Sequence, residues 1–175
     1  MTFLISIQKK ESDLIEVQKG IDSTKENLFK RLKEEFEDDF KVWNAEIDSS
    51  LTIRFRGSYE EGKLGPKFNF EPDSSRLTRS HKLILKSFFP RYIRILTLDE
   101  FADSIEEIRI EGHTDTKPRN RYKYPDSYLG NMLLSQERAI QVLGFSITQV
   151  TNDSTRLWVE SKLMANGLSY SRLIH

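Results

Sequence analysis

The chain has 175 residues, with 27 Lys+Arg against 27 Asp+Glu, no Cys, and 37% hydrophobic and 11% aromatic residues. That length suits one domain with an appendage, and the apolar content is enough for a core, which sets full disorder aside. Zero net charge speaks against a dedicated nucleic-acid binder, and the lack of Cys removes disulfide scaffolds, zinc–thiolate sites and thiol catalysis.

The first seven residues, MTFLISI, are apolar but fall far short of the roughly 18–20 residues that cross a bilayer. Lys9 and Lys10 follow this run instead of preceding it, so it is not a signal peptide. A buried N-terminal segment and the stub of a transmembrane helix both fit. Residues 1–47 hold 8 Lys+Arg and 11 Asp+Glu, a balance of −3, with no Pro and one Gly. Apolar residues at Leu14, Val17, Ile21 and Leu28, then Phe29, Leu32, Phe36, Phe40 and Trp43, predict one or two amphipathic helices over roughly 10–45. The phase shifts between Leu28 and Phe29, so no single heptad register covers the segment. The stripe needs cover, from its own domain or from a second copy.

From Leu51 to Phe55 the pattern alternates with period two, which predicts a strand. Three glycines and Pro66 between Gly57 and Pro66 then read as a loop or hairpin. A helix is expected from about Ser75, burying Leu77, Leu83, Ile84, Phe88, Ile95 and Leu96, with Pro90 kinking or splitting it. Ile105, Ile108 and Ile110 lead into a strand ending at Gly112, followed by a polar loop to Gly130. Another helix opens near Asn131 or Ser135, with Ser135 a plausible N-cap, and runs to about Val150. After a polar break at Thr151–Ser154, a short helix passes through Leu163-Met164-Ala165, and Gly167 suits its C-cap. Strands alternating with helices give an α/β sandwich, helices packed on one mixed sheet, preceded by the long amphipathic N-terminal helix.

Two stretches carry the functional signal: Ile108-Arg-Ile-Glu-Gly-His-Thr-Asp115 and Asn131-Met-Leu-Leu-Ser-Gln-Glu-Arg138-Ala139. Ser135 and Arg138 are three apart and share a helix face. An aspartate at a strand end opposite an arginine and amide donors at a helix start makes a pocket suited to a zwitterion. The same two charges could instead simply pair with each other. His113 reads as a turn residue. With His81 and His175 elsewhere and no companion ligands, no metal site is expected. Lys117, Arg119, Arg121 and Lys123 read as a solvated basic loop.

The nine positions Gly112, His113, Thr114, Asp115, Asn131, Leu134, Ser135, Arg138 and Ala139 resemble the OmpA-like peptidoglycan-binding domain, over about residues 50–175. The resemblance implies non-covalent binding of the diaminopimelate in the peptidoglycan stem peptide. Arg138 would take its carboxylate and Asp115 its ammonium, with Asn131, Thr114 and Ser135 completing the site. It implies no catalytic residue, cofactor or metal. The loop from Asp115 to Asn131 is longer than in that family, and a helix at about 151–166 is extra. The family's last strand, with an Asn-Arg-Arg signature, would fall beyond His175.

Within that family, an apolar start followed by a helical segment is most similar to stator B subunits of the MotB-like group, which includes Zorya-type defence stators. This divides the chain into a linker and dimerisation segment at 1–47 and the binding domain at 48–175. It implies a periplasmic domain of a single-pass inner-membrane protein, a homodimer, and a MotA-like membrane partner, with no nucleic acid. An OmpA-like outer-membrane or lipoprotein anchor is the alternative within the family. From other classes, a hydrolase lacks a nucleophile–base pair or metal cluster in the sequence, and an oligomerisation scaffold would rest on the N-terminal helix alone.

Overall fold

A computed structural model describes residues 1–7, 14–56, 68–114 and 126–170. The elements in chain order are β1 (Thr2–Ile7), α1 (Leu14–Trp43), β2 (Ala45–Ile47), β3 (Ile53–Phe55), α2 (Arg79–Leu96), α3 (Asp99–Ala102), β4 (Ile105–Gly112), α4 (Asp126–Ile147), α5 (Asp153–Lys162) and β5 (Leu163–Gly167). The five strands form one mixed sheet in the order β2-β3-β1-β4-β5. β1 runs antiparallel to both β3 and β4, whereas β5 runs parallel to β4.

The apolar start of the chain is therefore the central strand of the sheet. Its Phe3 lies opposite Ile53 and Ile110, so period two places all three on one face. That face meets the helices. Phe3 packs at ring-centroid distances of 5.2 Å from Phe88 and 5.9 Å from Tyr92 on α2. Phe55 meets Trp43 of α1 at 6.3 Å and Phe88 at 5.3 Å. The opposite face carries Thr2, Arg54, Arg109 and Glu111 in register.

α1 is one 30-residue helix. Its second half resolves the phase shift: Leu28, Leu32, Phe36, Phe40 and Trp43 are all buried in the chain's own core. Arg91 of α2 fastens it there, donating from Nε to Glu35 at 2.7 Å and from Nη1 to Asp39 at 2.6 Å, with its plane 4.7 Å from the Phe36 ring. The side chains of Leu14 and Val17 lie outside the described residues.

Three elements differ from the sequence reading. α2 begins at Arg79 and stays one helix through Pro90, with Leu83 exposed at 54%. The carbonyl that Pro90 leaves without a helical donor belongs to Lys86, an exposed residue whose backbone water can reach. α4 begins at Asp126, ahead of both expected starts, so Ser135 lies in mid-helix and is not an N-cap. Leu163–Gly167 is strand β5, not helix, and Gly167 is not a helix cap. A short apolar run cannot distinguish the two by periodicity; here the parallel edge of β4 decides it.

Two glycines fix how the second layer sits. A Cβ on Gly112 would lie 2.0 Å from the Ser135 carbonyl oxygen, and one on Gly167 would lie 2.4 Å from the Gln136 nitrogen. The ends of β4 and β5 thus touch the backbone of α4 where no side chain fits. By contrast, a Cβ at Gly144 on the same helix meets nothing within 4 Å. Gly112→Ala should therefore destabilise by at least about 1–3 kcal/mol, and Gly144→Ala should stabilise by up to about 1 kcal/mol. Urea unfolding of the two variants checks this; equal effects would contradict the close approach.

Candidate functional site

The two halves of the sequence motif meet where β4 and β5 end against α4. Thr114 follows the Gly112 contact, and its backbone N–H donates to the Ser169 carbonyl at 3.0 Å. The Ser169 N–H in turn donates to Ser135 Oγ at 3.0 Å, and that hydroxyl donates to the Met132 carbonyl one turn back at 2.8 Å. Ser169 ties Thr114 to Ser135, although nothing in the sequence pattern singles it out. Its backbone sits at φ 51°, a left-handed conformation uncommon for serine. Its hydroxyl and that of Thr114 are buried with no hydrogen-bond partner among the described residues. Two such hydroxyls joined through one backbone bond are places where an added polar group would be stabilised.

Next to this knot, Gln136 closes the outer edge of β5. Its Nε2 donates to the Ala165 carbonyl at 3.0 Å and its Oε1 accepts from the Gly167 N–H at 2.6 Å. The Leu168 N–H points the other way, to the Gly112 carbonyl of β4. Alternation along the strand thus puts Ala165 O and Gly167 N on the open edge, where the Gln136 amide stands in for a neighbouring strand.

Arg138 lies one turn further along α4 and is tightly held. Its Nε donates to the Ser74 carbonyl at 2.9 Å and its Nη2 to the Glu71 carbonyl at 3.2 Å. Both carbonyls belong to a turn closed by Ser74 N–H to Glu71 O at 3.2 Å, with Pro72 second and Asp73 third at φ 54°. The guanidinium lies 4.9 Å from the centroid of Phe70. Asn131 is 2% exposed and Ser135 fully buried. Asp115 lies outside the described residues, as do Lys117, Arg119, Arg121, Lys123 and His175. Because α4 starts at Asp126, Asn131 and Arg138 are in the helix body and not at its N-terminus.

His81, a companionless histidine in the sequence, is a fully buried part of this corner. It is the third residue of α2 and forms a reciprocal cap with Thr78: the Thr78 N–H donates to His81 Nδ1 at 3.1 Å, and Thr78 Oγ1 accepts from His81 N–H at 3.3 Å. Its ring sits between Phe68 and Phe70, at 4.5 and 4.4 Å. Burial, then the positive charge of the amino terminus and that of Arg138, push its pKa down from 6.5 to about 4, against an opposing backbone contact at Asn69. With Nδ1 accepting, the neutral ring carries its proton on Nε2.

His113 reaches across to β1, with Nε2 3.4 Å from Thr2 Oγ1 and 3.8 Å from the buried Glu111 carboxylate. Among the described residues, no group of three or more His, Asp or Glu is placed to hold a metal, and no helix is long and apolar enough to cross a membrane.

A family model described as the OmpA family matches residues 69–173, more than half of the chain. Zorya protein ZorB of Escherichia coli (strain ATCC 8739) is 33% identical over 171 residues, which is 97% of this chain and 68% of that protein. No solved structure matches.

The folded His81 resists protonation, so its contribution to stability is full above about pH 6.5 and is lost as pH falls towards 4. The ceiling is about 1.4 kcal/mol per pH unit. His81→Gln keeps a side chain suited to the capping box but has no proton to gain. Urea unfolding at pH 7 and pH 4.5 should show a larger loss for the native chain than for the variant; equal losses would contradict this.

Proposed function

The chain belongs to the OmpA family, and we propose from that premise that it binds peptidoglycan non-covalently and anchors a MotB-like, ion-driven stator complex to the cell wall. The ligand is the diaminopimelate of the stem peptide. Arg138 holds its carboxylate, Asp115 its ammonium, and Asn131, Thr114 and Ser135 complete the site. The chain performs no chemistry of its own. One observation supports this above the others: Gly112 and Ser135 are in backbone contact, so the strand end at Gly112–Thr114 and the helix bearing Asn131 and Arg138 share one corner. The Thr114 and Ser169 hydroxyls, which have no hydrogen-bond partner among the described residues, lie at that corner.

The similarity to Zorya protein ZorB over nearly the whole chain supports the stator assignment and an antiviral defence setting. In this reading the domain is periplasmic, belongs to a single-pass inner-membrane protein, and works with a MotA-like membrane subunit. Two copies associate through the first half of α1, because the apolar stripe of the second half is already covered by the chain's own core. Light scattering should then give a dimer for the full chain, with a shift to monomer on charge substitution at Ile21. A dimer unaffected by that change would move the contact elsewhere.

Retention on insoluble peptidoglycan tests the central assignment. The native chain should sediment with the polymer and release no soluble fragments. Arg138→Ala should weaken binding by roughly 2–5 kcal/mol, about thirtyfold to several thousandfold. It should also lower the melting temperature, since it removes the tethers to Glu71 and Ser74. Asp115→Asn is the cleaner probe: loss of retention with an unchanged melting temperature is the expected result. Retention unchanged in Asp115→Asn and in a folded Arg138 variant would sink the assignment.

A further inference from the structure

We propose that Phe70 is a positioning residue for Arg138 and sets the preference of the site for a free carboxylate over its amide. The specificity half of this inference rests on the peptidoglycan reading above; the positioning half does not.

An arginine side chain carries about 2 kcal/mol of rotamer entropy and recognises a carboxylate best as a planar fork in a fixed orientation. On α4 alone nothing would fix that plane. Among the described residues, the structure supplies three restraints. Two N–H groups of Arg138 are committed to the Ser74 and Glu71 carbonyls, and the plane lies 4.9 Å from the Phe70 ring centroid. Phe70 is itself backed by His81 at 4.4 Å, His81 by Phe68 at 4.5 Å, and Phe68 by Phe55 of β3 at 5.1 Å. A continuous line of tilted ring contacts therefore runs from the sheet to the guanidinium. His81 in this line stays neutral at physiological pH, so it adds no second cation behind Arg138.

A guanidinium fixed in this way distinguishes partners. A carboxylate presents two acceptor oxygens to the fork, whereas a carboxamide presents one acceptor and a donor that meets N–H groups head-on. If the fork can turn, the misfit is relieved and the distinction fades. Phe70 is thus expected to matter more for discrimination than for stability.

The test uses the full chain, a diaminopimelate-containing muropeptide and the same muropeptide with the carboxylate amidated. Phe70→Leu keeps an apolar side chain but removes the ring face; Phe70→Tyr keeps the face. Phe70→Leu should weaken binding of the free acid about tenfold and shrink the acid-over-amide ratio, while Phe70→Tyr stays within about twofold of the native chain. Hydrogen exchange at Arg138 Nε–H, followed by NMR without ligand, reads the positioning directly. It should be slow in the native chain and in Phe70→Tyr, and faster in a Phe70→Leu variant whose melting temperature shows it folded. Unchanged exchange in Phe70→Leu overturns the positioning role, and faster exchange with an unchanged acid-over-amide ratio overturns the specificity role. If the native chain binds neither muropeptide, the peptidoglycan reading fails while the exchange measurement still decides the positioning.

Discussion

The contact on which the rest of this molecule depends is the approach of two strand ends to the middle of α4. Without a side chain at Gly112 and Gly167, backbone meets backbone at Ser135 and Gln136, and the helix is held in one axial position. The polar side chains of α4 are then placed by counting residues. Gln136 reaches the open edge of β5, Ser135 receives the Ser169 N–H, and Arg138 falls opposite the turn at Glu71–Ser74. A methyl group at either glycine would displace all three together, because helix packing is too dense to absorb the shift locally.

The same logic shows which parts of the fold are legible in the sequence. The β4 strand and its Gly-His-Thr-Asp exit can be read because apolar alternation ends there at a glycine. The start of α4 cannot: Asp126–Gly130 reads Asp-Ser-Tyr-Leu-Gly, mostly poor helix formers ending on a glycine, and its helicity is imposed by the packing that follows. Ser135 reads as a cap because serine commonly caps helices, yet here its hydroxyl bonds back to Met132 and takes the Ser169 N–H. β5 is hidden because Leu-Met-Ala suits either a helix or a strand, and the deciding partner, β4, is more than fifty residues away. In β1 a signal is present, since Phe3 and Ile5 alternate with Thr2 and Ser6. Six apolar and small residues at a chain end, however, suit the stub of a membrane helix equally well.

The placement of β1 changes how the first third of the chain should be understood. A strand paired on both sides, followed by a helix whose second half is buried and bound through Arg91 to Glu35 and Asp39, makes this region part of the domain's core. The four aromatic groups Phe3, Phe36, Phe88 and Trp43 sit where these elements converge.

At the candidate site, charge and packing are not separable. The sequence motif presents Arg138 as a ligand-binding cation, with a salt bridge to Asp115 as the bland alternative. The structure adds a third role, in which the guanidinium organises neutral backbone carbonyls and lies against an aromatic ring. Hydrogen bonds from a charged donor are worth more than neutral ones, and Arg138 makes one to the half-buried Ser74 and one to the exposed Glu71, so folding itself orders this side chain before any ligand arrives. The entropy that a free arginine would lose on capture has then already been lost. It also follows that deleting Arg138 confounds affinity with stability. The residues that separate the two are those that orient the fork without being part of it, of which Phe70 is the nearest and His81 the next.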